Sequence, residues 1–259
     1  MLLAIDCGNT NIVFAIYDGD EQQASWRISS DSRRSTDEYV VWLTQLMTLK
    51  NINVDDITGV MIASVVPDIQ PKMVALAHRG FDLVPLCVGD PDVDLGIAIK
   101  IDSPEQAGAD RLVNAVAAEA WHNLPAVVID FGTATTLDLI GPKGAYEGGV
   151  IAPGVNLSIE ALYMAAARLP RIAVKPWHAD MPVLGTNTIS AMQSGVFWGY
   201  VSMVEGLLAR LRQGYRADLP AIATGGLAPL FADHINGPLI VDADLTLKGL
   251  VRIHAQNKI

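Results

Sequence analysis

The chain has 259 residues, of which 51% are hydrophobic and 18% charged, and its formal net charge is −10. That length and composition give one large domain or two modest ones with real cores, and they exclude disorder. The acidic balance argues against a nucleic-acid-binding surface, so an anionic ligand would need local donors and a cation. The two cysteines, Cys7 and Cys87, offer neither a disulfide framework nor metal-ligand spacing. Met1 to Ile5 lacks the basic start and the length of a signal peptide, and no apolar run approaches a membrane span. A cytoplasmic protein is expected.

Leu3 to Ile16 reads as strand, polar turn and strand, with Asp6-Cys7-Gly8-Asn9-Thr10-Asn11 at the turn. Tyr17-Asp18-Gly19-Asp20 marks another turn and Gln23 to Ile28 a third strand, which makes an antiparallel meander. Ser29 to Ser35 is polar and carries Arg33 and Arg34, either solvated charges or contacts for a substrate anion. Thr36-Asp37-Glu38 then caps a helix to about Lys50, with Tyr39, Val40, Leu43, Leu46 and Met47 at helical spacing. Gly59 to Pro67 predicts a buried strand and Asp68 to His78 a short helix. Phe81 to Val88 and Ile97 to Ile101 predict two further strands. This alternation of strands and helices is α/β.

An alanine-rich helix follows Ser103-Pro104, with Asp110 near its start. A carboxylate there is favoured by the helix dipole as a first-turn acid or cap. The other reading gives it a proton to take from a substrate hydroxyl. Arg111 would then clamp a substrate carboxylate, and Asn114 would share its side of the helix.

The opening pattern returns nearly half the chain length later. Val127 to Ile140 is again strand, turn and strand, around Asp130-Phe131-Gly132-Thr133-Ala134-Thr135-Thr136. One Asp-x-Gly turn is ordinary loop chemistry. Two of them suggest two similar halves, each with a hairpin whose N–H groups and hydroxyls can grip a phosphate. Gly148-Gly149 and Pro153-Gly154 imply close backbone approach, either a strand end or a wall of a substrate cleft. Helices are expected from Asn156 to Ala167 and from Ile189 to about Gln213, the second capped by Asn187 or Thr188. Thr224-Gly225-Gly226 ends a strand in a flat turn against which a nucleobase or ribose could lie. Leu245 to Ala255 predicts the last helix.

The chain contains no Gly-x-x-x-x-Gly-Lys-Ser/Thr, no Gly-x-Gly-x-x-Gly, no His-Glu-x-x-His and no Gly-x-Ser-x-Gly. Phosphoryl transfer by positioning and cation electrostatics, which needs no covalent nucleophile, fits what is left.

Taken in order, the two Asp-x-Gly turns, Gly108-Ala109-Asp110-Arg111, the Gly148-Gly149 to Gly154 turn, Asn187-Thr188 and Thr224-Gly225-Gly226 resemble type III pantothenate kinase over nearly the whole chain. The resemblance implies the duplicated ribonuclease H-like fold of acetate and sugar kinases, actin and the Hsp70 ATPase, with two lobes and a central cleft. The lobes are expected to span residues 1–115 and 116–259. It implies phosphorylation of pantothenate at its primary hydroxyl by ATP, giving 4′-phosphopantothenate as the first step of coenzyme A synthesis. It also implies a homodimer, Mg²⁺ with the nucleotide, and a monovalent cation, K⁺ or NH₄⁺.

Carried over by motif, Asp6, Cys7, Gly8, Asn9, Thr10, Asn11, Ile12, Val13 and Thr133 should bind ATP. Asp110 should be the general base. Gly108, Ala109, Asp110, Arg111 and Thr188 should hold pantothenate, and Asp130 the monovalent cation. Two positions depart from many relatives. Ile101 stands where a tyrosine is common, and Ala166 where a threonine is common; both bear on pantothenate packing. The alternatives are a kinase of another small alcohol on the same fold and a non-catalytic nucleotide-binding regulatory homologue.

Overall fold

The computed structural model describes every residue except Ala167 and Ile259. In chain order the elements are β1 (Leu2–Cys7), β2 (Asn11–Asp18), β3 (Glu21–Ser29), α1 (Thr36–Thr48), β4 (Gly59–Ser64), α2 (Gln70–Phe81), β5 (Leu86–Cys87), α3 (Ala109–Trp121), β6 (Ala126–Phe131), β7 (Ala134–Ile140), β8 (Tyr146–Pro153), α4 (Val155–Ala165), α5 (Thr188–Gly214), β9 (Ala221–Thr224), α6 (Ala228–Phe231), β10 (Leu239–Val241) and α7 (Leu245–Gln256). They make two compact units, Met1–His122 with Leu245–Ile259, and Asn123–Asp244. The division expected after residue 115 falls inside α3, which stays whole in the first unit, and α7 joins it there.

The first unit holds a five-stranded sheet in the order β3-β2-β1-β4-β5. Strands β1, β2 and β3 are antiparallel, and β4 and β5 run parallel to β1. Side chains alternate across a strand, so β1 feeds two cores. Leu3, Ile5 and Cys7 pack with Tyr39, Leu43 and Met47 of α1 and with Met73 and Leu76 of α2. Leu2 and Ala4 pack on the other face with Val113 and Val116 of α3 and Leu250 and Ile253 of α7. Burying both faces is what allows the near-continuous apolar run of β1.

The second unit repeats the scheme in the order β10-β9-β6-β7-β8. β6, β7 and β8 are antiparallel, and β9 is parallel to both β6 and β10. β6 and β7 therefore occupy the places of β1 and β2, so the duplicated turn is part of a duplicated sheet. Phe197, Tyr200, Val204 and Leu208 of α5 cover one face with Val155 of α4 and Phe231 of α6.

Several boundaries differ from expectation. Ser35, not Thr36, caps α1. Its N–H donates to Glu38 Oε2 at 2.7 Å, and its hydroxyl accepts from the Glu38 N–H at 3.3 Å, a reciprocal capping box. Phe81 ends α2, and only Leu86 and Cys87 pair with β4. Ile97 to Ile101 is not a strand; Ile99 alone makes an isolated bridge. Gly96, at φ +69°, opens this segment, and Ile97 packs on the α3–α7 core from a loop. The expected end of the helix at Ala167 lies outside the described residues. Among the described residues no helix is long and apolar enough to cross a membrane.

Candidate active site

The first hairpin places Asp6 one residue before the end of β1, opposite Val13 on β2 and Ala63 on β4. The turn closes with the Gly8 N–H donating to the Asn11 carbonyl at 3.0 Å, and Asn9 and Thr10 are exposed at its tip. Cys7 and Ile12 are fully buried in the α1–α2 core and paired in the sheet, and the Cys7 carbonyl accepts from the Val65 N–H at 3.1 Å. Burial, and then the charge of Asp6, push the Cys7 thiol well up, against a hydrogen bond with Ser64. Cys7 is thus a packed thiol rather than a nucleophile.

Asp110 is the second residue of α3, and the N-cap is Gly108 without a side-chain cap bond. The Asp110 carboxylate folds back over the helix start. Its Oδ1 accepts from the Arg111 N–H at 2.8 Å and would lie 2.6 Å from a Cβ built on Gly108. Asp110 is therefore a first-turn acid in the favourable field of the helix N-terminus, half-buried beside the half-buried Arg111. A carboxylate held this way by main-chain geometry is compatible with a proton-accepting role as well. Asn114 serves α7 instead, its Oδ1 accepting from the Thr246 hydroxyl at 2.7 Å.

In the second hairpin Asp130 lies opposite Thr136 on β7 and Thr224 on β9. Residues opposite one another across a sheet share a face, so a carboxylate stands between two hydroxyls. Both hydroxyl oxygens are buried without a hydrogen-bond partner among the described residues. Buried orphan oxygens are rare and call for a reason. The backbone closes tightly round this carboxylate. Gly225 has φ +88°, and a Cβ there would meet Asp130 Oδ1 at 2.4 Å and the Phe131 N and O at 2.8 Å. Gly154 lets the end of β8 lie on the turn, since its Cβ would come 2.2 Å from the Thr133 carbonyl oxygen. Only glycine fits either place. Gly225, in the turn where a nucleobase was expected to lie, forms the floor beneath Asp130.

Thr133 is exposed at the tip of this turn. Two residues on, Thr135 is hydrogen-bonded to the hydroxyl of Tyr200 on α5. Burial pushes Tyr200 up to about 12, the Thr135 bond opposing and the charge of Asp130 adding to the rise. The phenol is therefore a neutral strut. Thr188 begins α5 and is exposed, with Asn187 as the N-cap. It stands on the wall of a groove of about 740 Å³ between α4 and α5, lined also by Val155, Leu162, Met192, Val196 and Met203.

Of the residues singled out in the sequence, Asp6 to Val13 and Gly108 to Arg111 belong to the first unit, and Asp130, Thr133 and Thr188 to the second. Asp130 and Thr133 share one turn. Thr136 and Thr224 stand in motifs named from the sequence, but their place on either side of Asp130 was not expected, and Tyr200 was expected only as part of an apolar stripe. For the two threonines a signal existed: hydroxyls stand near the start of β7 and at the end of β9, the strands flanking Asp130. For Tyr200, one apolar position in a long helical stripe, none did.

Two mixed sheets of the same topology, each led by an Asp-x-Gly hairpin, define a duplicated ribonuclease H-like fold, the fold of a class of small-molecule kinases. Solved structures agree on the fold. The inorganic polyphosphate/ATP-glucomannokinase of an Arthrobacter strain superposes with a TM-score of 0.50 over 99% of this chain and 97% of its own, at 13% identity. A Campylobacter jejuni protein described as a conserved Baf family transcriptional activator superposes at 0.62 over 98% of both chains, at 18% identity. A sequence model of type III pantothenate kinase matches residues 2–210. The type III pantothenate kinase of Paramagnetospirillum magneticum is 55% identical over 99% of this chain and 98% of its own. That of Rhodospirillum rubrum is 52% identical over 100% and 99%. The chain belongs to the type III pantothenate kinase family.

Proposed function

We propose that this chain transfers the γ-phosphoryl group of ATP to the primary hydroxyl of pantothenate, the opening step of coenzyme A synthesis. The observation that carries this is the full-length match to type III pantothenate kinases. The glycine turn from Asp6 to Val13, with Thr133 of the second turn, binds the nucleotide. Main-chain N–H groups of the turn meet the phosphates, and buried Cys7 and Ile12, paired in the sheet, frame that turn. Asp110 is the general base for the attacking hydroxyl, fixed over the α3 N-terminus by the Arg111 N–H. Arg111 and Thr188, with the backbone of Gly108 and Ala109, hold pantothenate.

Asp130 is the monovalent-cation ligand. The fit is chemical: a carboxylate flanked by two buried hydroxyl oxygens without partners among the described residues is an all-oxygen donor set, suited to a hard cation. When bound, such a cation supplies positive charge in a chain of net charge −10 with no lysine in either turn. A divalent ion would travel with the triphosphate, since Mg²⁺ is commonly held by phosphates and few protein carboxylates. A second copy of the chain packs on the α4–α5 face, where Leu157, Met164 and Ile189 are exposed beside the groove. Two free buried cysteines suit a reducing cytoplasm.

A coupled ADP-release assay over a panel of small alcohols tests the assignment. Pantothenate is expected to give the largest kcat/KM. A better substrate elsewhere in the panel would make this a kinase of another alcohol, and no turnover on any would favour a regulatory role.

A further inference from the structure

The Asp6 to Val13 turn is held from outside by one residue that no motif includes. Ser30, just past the end of β3, donates its hydroxyl proton to the Gly8 carbonyl at 2.5 Å. Its backbone N–H donates to the Thr10 carbonyl at 3.0 Å. One residue thus takes two carbonyls of the four-residue turn. In a planar trans peptide, a carbonyl and the following N–H point in opposite directions. Anchoring the Gly8 and Thr10 carbonyls on Ser30 therefore turns the Asn9 and Asn11 N–H groups away from it, together. A set of N–H groups so aligned is what an anionic phosphate meets.

The anchor is itself fixed. Lys72 of α2 donates to the Ser32 carbonyl and, at 2.8 Å, to the Arg34 carbonyl. The Arg33 N–H donates to Asp31 Oδ1 at 2.9 Å, and the same loop ends in the Ser35 cap of α1. Ser30 is half-buried, and the loop that carries it is tied to two helices. Orienting the turn before the ligand arrives removes an ordering cost from binding.

We propose that Ser30 is a positioning residue for the nucleotide, acting through the Gly8 and Thr10 carbonyls to aim the N–H groups of the turn at the phosphates. This rests on the nucleotide role of that turn given above. The test compares wild type, Ser30→Ala and Ser30→Thr in steady-state kinetics and in calorimetric titration with MgATP. Loss of one anchoring hydrogen bond is expected to raise KM and Kd for MgATP about tenfold in Ser30→Ala, with KM for pantothenate within about twofold. Ser30→Thr, which keeps the hydroxyl, is expected to restore MgATP affinity.

Unchanged MgATP affinity in Ser30→Ala would overturn the proposal. So would an equal loss for both substrates, a lowered Tm with unaltered affinity of the folded fraction, or no restoration by threonine. If the wild type binds MgATP but does not phosphorylate pantothenate, the functional assignment fails, and the Ser30 comparison is still decided in the calorimeter. If the wild type binds no MgATP, both fail.

Discussion

Asp110→Asn is expected to lower kcat by about a hundredfold or more while leaving the fold and MgATP binding intact. The amide oxygen of asparagine can still accept from the Arg111 N–H, the bond made at 2.8 Å by the native carboxylate, so the local geometry has a substitute. What is lost is a basic oxygen for the substrate proton and one negative charge at the α3 N-terminus. The charge is worth about 0.3–1 kcal/mol to the helix, whereas a hundredfold in rate is about 2.7 kcal/mol of barrier. Stability and turnover should therefore separate: a small fall in Tm against a large fall in kcat. Near-normal turnover in this variant would remove Asp110 from the mechanism and leave it a first-turn acid.

Asp130→Asn is expected to abolish the response of the enzyme to potassium. The substitution preserves size, which matters because the native carboxylate sits over Gly225 with no space to spare. It removes the charge that would attract a cation between Thr136 and Thr224. A unit-charge pair at about 4 Å is worth about 4 kcal/mol in a partly screened protein setting, so half-maximal potassium should rise by about a hundredfold or more. Activity at ordinary potassium concentrations then falls to the potassium-free level. An unchanged potassium titration would take the cation away from Asp130, and the two orphan hydroxyls would need another explanation.

Much of the fold could be read in the chain because its signals are local. The apolar runs of β1, β2, β6 and β7, the polar residues at their turns and the helical stripes of α1 and α5 each lie within a short window. Elements set by distant packing were harder. α7 belongs to the first unit because Thr246 reaches Asn114 and its apolar side chains fill the face opened by Leu2 and Ala4. Nothing within residues 245–256 announces that partner. Ile97 to Ile101 looks like a strand by composition, but Ile97 is packed on the α3–α7 core instead.

The site divides the same way. Both Asp-x-Gly turns were visible because glycine and a carboxylate between apolar runs are a strong local pattern. The surroundings of each aspartate were not. Gly225 reaches Asp130 only because β9 pairs in parallel with β6, and Thr136 and Thr224 come to flank Asp130 only through the registers of β7 and β9 on β6. Ser30 lies outside both motifs and meets the first turn only because β3 returns beside β2.

The most direct measurement is the identity of the product. The chain, MgATP and pantothenate are incubated in potassium buffer, and pantothenate is followed by mass spectrometry alongside ADP. One phosphoryl group gained by pantothenate for each ADP formed, with much less of both when potassium is replaced by a larger organic cation, is the predicted result. ADP formed without phosphorylated pantothenate, or pantothenate left unchanged in the presence of bound nucleotide, would contradict the account.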